Sequence, residues 1–374
     1  MLKFYLFPIS YAFLTFPIAA LLFTLPFLIV QYRRHGYIHK ARAFMLYLFL
    51  LYLMNIFYLI LLPFPETRHN APLAGGNLQL VPLHFIQDII RETKVVADEP
   101  STYWHLLQER AFLQVVLNIA LTVPFGMFLR YYFRTGWLLC ILLSLLLSLT
   151  FEGIQLSANF GYYDNPYRVA DVDDLIANTL GGINGFLLAG WSAAHLPRMD
   201  RLDEKVDLSA KRVSYTRRGV AWLIDLGVWL IIYALLMNYH TAAAYWISSG
   251  LYFMLLPFLT GGRTVGKWTV RIKVVGASGR VSLPALIVRY GMLYWILGGI
   301  CIWLPILSLR VSDLTFVMAA FVVFVVMMAF VVHIMTRILK KDPLLFYEKL
   351  SRTSHAITWP DKHRNNKSLQ TTPM

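Results

Sequence analysis

The chain has 374 residues, of which 58% are hydrophobic, 15% aromatic and 14% charged, with a mean hydropathy of +0.57. Soluble domains carry about a quarter charged residues, so an ordinary soluble protein is excluded and a polytopic membrane protein is expected. Lys and Arg outnumber Asp and Glu by 14, which in a membrane chain reports topology and not nucleic acid, and Cys140 and Cys301 stand in apolar runs without the spacing of a disulfide framework, zinc ribbon or iron–sulfur site.

Apolar stretches of about 20 residues, the length that crosses about 30 Å of hydrocarbon, recur nine times. They fall near residues 8–30, 43–63, 111–130, 137–158, 173–193, 219–238, 243–260, 290–309 and 314–336. The fold expected is therefore all-α, with one short cytoplasmic β-hairpin. Pro8, Pro17 and Pro26 interrupt the first stretch, no small-residue cleavage site follows it, and Arg33–Arg34 come after it; it reads as a retained, kinked helix. The segments that would share one side hold 27 of the 34 Lys and Arg, against 7 on the other. By the positive-inside rule the N-terminus is extracytoplasmic and the C-terminus cytoplasmic.

The long outer loop, 64–110, contains an amphipathic stretch from Leu83 to Val95, with Phe85, Ile86, Ile89 and Ile90 on one side and Asp88, Arg91 and Glu92 on the other. Its two alternatives are to lie on the outer leaflet or to cap the helices beneath it. At 194–218, basic and acidic residues alternate, which marks a cytoplasmic connector at 196–216 between domains 1–195 and 217–355. The basic residues there either contact anionic headgroups or only set topology. The tail 356–374 reads as disordered.

Spans three to five carry polar faces. Gln114, Asn118 and Thr122 share one helix side, Ser144, Ser148, Glu152 and Gln155 another, and Asp171, Asp174 and Asn178 a third. Counted from the outer ends, Asn118, Glu152 and Asn178 lie at one depth, about 7–11 Å in. A carboxylate inside a span costs at least about 2.5–3.5 kcal/mol, so Glu152 needs a partner, and Arg168 is the nearby cation. One pocket lined by Asn118, Glu152, Gln155, Arg168, Asp171, Asp174 and Asn178 follows, either to bind a ligand or to fix helix packing. Ala177, Gly181, Gly185 and Ala189 form a small-residue packing face, and Pro124–Phe125–Gly126 is expected to kink or locally unwind span three.

Asn118, Pro124–Phe125–Gly126, Glu152 with Gln155, then Arg168, Asp171, Asp174, Asn178 and Gly181, with Asn77–Leu78 and Pro82 upstream, resemble the signature of the VanZ family over about residues 40–195. The resemblance implies a membrane protein of the kind associated with low-level resistance to the glycopeptide teicoplanin; it supplies no molecular activity.

In the second half, Arg218 and Asp225 share a face of span six, and either Arg218 or Arg289 is the cation expected for Asp225. The run from Gly261 to Lys267 lacks the spacing of a phosphate-binding loop, so no nucleotide site is expected; the β-rich residues 270–275 and the Gly276–Gly279 turn read as the short hairpin. Arg218, Ala221, Asp225, Thr264, Gly266, Lys267, Gly279 and Arg289 resemble the RDD family over about 212–355, with Glu348 standing where that family usually places an Asp.

Three functions stay open. The first is an envelope factor that engages a lipid-linked cell-wall precursor, a glycopeptide or another amphipathic ligand at the outer leaflet. The second is a transporter of cations, protons or small solutes through Glu152, Asp174 and Asp225. The third is an enzyme on a lipid-linked phosphate, for which no nucleophile is apparent. Membrane lipids are the expected partners, with no cofactor, metal or nucleic acid.

Overall fold

The computed structural model describes residues 2–96, 98–192, 202, 212–238, 243–308, 312–340, 342 and 344–358. In chain order the elements are α1 (Leu2–Arg34), α2 (Lys40–Leu61), β1 (Leu78–Gln79), α3 (His84–Glu92), a 3-10 segment (Pro100–Gln108), α4 (Arg110–Tyr131), α5 (Trp137–Leu156), a single turn α6 (Ala158–Gly161), β2 (Ala170–Asp171) and α7 (Val172–Ser192). There follow α8 (Tyr215–Met237), α9 (Ala244–Ser249), a π-helix (Gly250–Leu255), α10 (Leu256–Leu259), α11 (Val265–Thr269), β3 (Ile272–Gly276), α12 (Leu283–Tyr290), a second π-helix (Gly291–Gly298), α13 (Gly299–Ser308), α14 (Asp313–Leu339), α15 (Phe346–Leu350) and β4 (Thr353–Ile357).

Among the described residues, seven helices are long and apolar enough to cross a membrane. The two remaining apolar stretches also fold as helix: α7, diluted by Asp173, Asp174, Asn178 and its glycines, and the shorter apolar helix Ala244–Leu259. The all-α polytopic architecture expected from composition is thus what the chain adopts. Its surface is inverted relative to a soluble protein: α14 buries none of its described residues and exposes Leu314, Phe321 and Phe324, because the solvent of a span is lipid.

Two local expectations are corrected. Helix α4 runs unbroken through Pro124, so of the two alternatives for span three the local unwinding does not occur. The β-rich residues 270–275 do not fold back on the residues after them. Pro284 opens α12 just past the Gly276–Gly279 turn, and β3 pairs instead, antiparallel, with β4, from Ile272 opposite Ile357 to Gly276 opposite Thr353. Most of the connector 196–216 and the tail from residue 359 lie outside the described residues.

The chain divides into two compact units: Met1–Leu22 with His39–Lys205, and Phe23–Ile38 with Val206–Met374. The core of the first gathers Ile56, Ile60 and Phe151, and, around Phe49, Phe125, Leu129 and Cys140. Its tightest pairing is α4 on α7. A Cβ on Gly181 would collide with the Ile119 carbonyl and Thr122 Oγ1, one on Gly185 with the Val123 carbonyl, and one on Gly126 with the Gly182 carbonyl. Only glycine lets these backbones touch.

In the second unit Leu28, Ile29 and Tyr32 pack with Val213, Val220, Val270 and Ile272. The buried Arg217 guanidinium fastens this region, donating to the carbonyls of Val270 (2.7 Å), Gly36 (2.9 Å) and Arg271 (3.1 Å), with its plane against the Tyr32 ring. All three acceptors are carbonyls at or just past helix ends, where hydrogen-bond partners are otherwise lacking.

Gly185→Ala should force α4 from α7 and cost about 1–3 kcal/mol by overpacking. Gly153, also helical, has nothing within 4 Å of an added Cβ, so Gly153→Ala should be neutral or stabilise by up to about 1 kcal/mol. Thermal unfolding of the two variants in detergent tests the contrast; equal midpoints would contradict it.

Candidate functional site

The Asn77–Leu78 segment sets the geometry. Leu78 and Gln79 pair in parallel with Ala170 and Asp171, so the 64–110 loop is anchored directly before α7. Four residues on, Leu83 takes a left-handed conformation (φ 62°), and the two carboxylate oxygens of Asp173 accept from the amides of Leu83 (2.6 Å) and Phe85 (2.9 Å). Asp173 therefore satisfies the first amides of α3, placing a negative charge at that helix's positive end. The other end of α3 is tied to α4: the Glu109 carboxylate accepts from the Lys94 amide (2.8 Å) and the Thr93 hydroxyl (3.1 Å), and Glu92 accepts from the Ala111 amide (3.1 Å). Helix α3 thus bridges the starts of α7 and α4.

Beneath this bridge lies a cavity of about 300 Å³, lined by Phe85, Asp88 and Glu92 from α3, Arg110, Gln114 and Val115 from α4, and Asp171, Asp173 and Asp174 before and within α7. Five carboxylates face one guanidinium. Burial pushes the Asp171 carboxyl above its usual range, and the neighbouring Asp173 and Asp88 charges push the same way. Such a lining attracts cations and repels phosphate. Among the described residues no three His, Cys, Asp or Glu side chains are arranged to hold a metal ion.

Of the seven residues expected to share one pocket, Asp171 and Asp174 line the cavity. Asn118 stands directly behind, donating to Asp174 at 2.5 Å. Asn178 lies deeper, buried, donating to Ser148 (3.0 Å) while its carbonyl accepts from Thr122 (2.7 Å). Glu152 is buried and accepts from the Asp171 amide at 2.9 Å, so its close partner is backbone; Arg168 acts on it electrostatically while donating to the Leu62 carbonyl at 2.8 Å. Gln155 reaches the Ile60 carbonyl at 3.4 Å. The pocket pictured from sequence is therefore two layers: a lined cavity, and a buried hydrogen-bonded floor that positions Asp171 and Asp174. Sequence reasoning missed Asp88, Glu92, Arg110 and Asp173 as lining. Part of the signal was present: Asp88 and Glu92 of the 83–95 stretch face the cavity, and Phe85, placed with the isoleucines from sequence, faces it with them, while Arg91 does not.

The inner cluster regroups into two sites. Asp225, buried, accepts from Thr264 Oγ1 (2.5 Å), the Gly266 amide (2.7 Å) and the Tyr252 hydroxyl (2.7 Å), with Lys267 Nζ at 3.4 Å. Its cation is Lys267, not Arg218 or Arg289, because the Thr264-capped start of α11 brings loop donors to α8, and a Cβ on Gly266 would strike both Ala221 and the carboxylate. Arg218 and Arg289 converge on the fully buried Glu348, at 3.1 and 2.6 Å, and His355 Nδ1 lies 3.0 Å from the same carboxylate. The extra methylene of Glu is used: Glu348 also accepts from the Leu345 amide (3.0 Å), satisfying a free donor at the start of α15.

Residues 49–193 match the family model described as VanZ/LLP1. Over 94 residues, 24% of this chain, the sequence is 35% identical to Protein VanZ of Enterococcus faecium, and the chain spans 54% of that relative's length. The protein is thus a multi-pass membrane protein with a VanZ-like segment, and every residue lining the acidic cavity falls inside it. No solved structure matches the chain.

The Glu348 site makes an acid-sensitive fold. Burial and the two guanidinium groups depress His355 to about 3, and Glu348 is held well below the usual carboxylate range by His355 and the two guanidiniums, which outweigh its burial. A neutral His355 donates through Nδ1, since the carboxylate only accepts. Below about pH 6.5 the unfolded chain gains a proton on this histidine that the folded chain refuses, so stability falls on acidification by up to about 1.4 kcal/mol per pH unit. Glu348 adds its own loss below the usual carboxylate range. Melting temperatures between pH 7 and 5 should drop in the wild type and drop less in His355→Gln; parallel curves would refute the assignment.

Proposed function

We propose that the first unit is an envelope binding factor that takes the cationic part of an amphipathic or lipid-linked ligand into the acidic cavity at the outer leaflet, and that it confers glycopeptide resistance of the teicoplanin type. The observation carrying this is the lining itself, five carboxylates against Arg110 at the starts of α4 and α7. An enzyme on a lipid-linked phosphate gains no support from such a surface, which repels its substrate, and Arg168, the cation expected near Glu152, lies outside the lining. The VanZ-like match supports the reading because it covers the whole cavity.

The second unit is inferred to be an RDD-like membrane domain, supported by Arg218 and Arg289 meeting at Glu348 and by Asp225 with Lys267. With its carboxylate already taken up by four donors, Asp225 favours a structural role over transport.

Expression in a glycopeptide-sensitive bacterium should raise the inhibitory concentration of teicoplanin. Asp88→Lys, at a half-buried position of α3, should abolish the rise with protein level unchanged. No rise in the wild type overturns the resistance reading; a rise that survives Asp88→Lys overturns the cavity.

The positive-inside count supports a cavity that opens outside and a connector that lies inside. A cysteine at Ser209, in a background with Cys301→Ser, should resist impermeant maleimide in intact cells and react after permeabilisation. Labelling from outside would invert the topology.

A further inference from the structure

Helix α3 has two unlike sides. At about 100° per residue, Phe85, Asp88 and Glu92 cluster on one side, while Ile86 and Ile90 point to nearly the opposite one. The first set lines the cavity. The second is exposed, Ile90 at 68%, and continues into exposed Leu80, Val81 and Leu83. A soluble loop would not leave such a run uncovered.

Two observations say what covers it. Both ends of α3 are hydrogen-bonded to the starts of long helices, through Asp173 in the first turn of α7 and through Glu109 and Glu92 at α4, and α4 is long and apolar enough to cross a membrane, so α3 is held at the depth where that span leaves the hydrocarbon. The 3-10 segment leading into α4 exposes Trp104 at 72%, the residue type that settles at headgroup level, and Arg91 and Lys94 beside α3 are exposed cations suited to anionic headgroups.

We infer that α3 lies in the headgroup layer of the leaflet on which the cavity opens, with Ile86 and Ile90 in lipid and Asp88 and Glu92 turned to the cavity, so that one nine-residue helix is both membrane anchor and cavity wall. This inference rests on the membrane placement of the spans and not on any ligand. Its consequence is that an amphipathic molecule reaches the carboxylates from the leaflet, past α3, without leaving the bilayer.

The test uses the full chain with Cys301→Ser and the buried Cys140 retained. A single cysteine at Ile90, or independently at Ile86, carries an environment-sensitive nitrobenzoxadiazole dye, and the protein is reconstituted in nanodiscs of phosphatidylethanolamine and phosphatidylglycerol. The dye should emit to the blue and be quenched several-fold more by lipid bearing a nitroxide near the headgroup than by one with the nitroxide at the chain end, and little by aqueous iodide. Iodide quenching at both isoleucine positions would place α3 in water and overturn the inference. Shielding from iodide and lipid alike would mean that protein, such as a second copy of the chain, covers this face, and would overturn it equally. The readout is indifferent to glycopeptide, so failure here leaves the proposed function standing, and loss of the resistance reading leaves α3 in lipid.

Discussion

Because Gly126, Gly181 and Gly185 carry no Cβ, the backbones of α4 and α7 can touch, and at that separation short polar side chains reach across directly. Asn118 meets Asp174, Thr122 meets the Asn178 carbonyl, and Ser148 on α5 closes the set. In a lipid medium hydrophobic burial gives little reason for helices to associate, so close van der Waals approach and interhelical hydrogen bonds must do so. The glycines supply the first and thereby permit the second. The cavity is the outer continuation of the same contact: where α4 and α7 reach their starts, the side chains that would pair across them instead face open volume, and α3 closes it.

The two units answer the problem of buried charge in a common way, by borrowing partners from segments distant in sequence. Asp173 is met by amides of the 64–110 loop, Asp225 by the start of α11, Glu348 by arginines of α8 and α12 with a histidine of β4, and Arg217 by three carbonyls. Breaking a buried pair costs about 3–5 kcal/mol, largely because the survivor is stranded. Each such contact therefore fixes where its two segments sit more firmly than their own local sequence could.

This pattern explains what sequence could and could not disclose. The stripe of Gln114, Asn118 and Thr122 and the stripe of Asp174 and Asn178 follow from the helical period alone, so their meeting was legible, and the small residues at every fourth position named the face that brings them together. Glu152 was legible as buried, but not its backbone partner, because the Asp171 amide is presented by a two-residue strand whose pairing with Leu78–Gln79 spans the whole of α3, α4 and α5. Asp88 and Glu92 were legible as the polar side of an amphipathic stretch but not as cavity lining, because an amphipathic period tells which side is polar and not what that side meets. Lys267 was hidden as the partner of Asp225 for the same reason, and β4 as the partner of β3 because nothing local encodes a register between strands so far apart.

The grouping of Phe23–Ile38 with the second unit has a consequence in time. Gly36 and Arg217, joined by a hydrogen bond, are 181 residues apart. At synthesis rates of about 5–20 residues per second, the end of the first helix waits on the order of ten to forty seconds for the residues that cover it. Through that interval Leu28, Ile29 and Tyr32 have no Val220, Val270 or Ile272 to pack on. The second unit is therefore not a module that could be cut from the chain at the connector and moved elsewhere: its first structural piece is made almost at the beginning, and a transplanted C-terminal half would arrive with the socket for it empty.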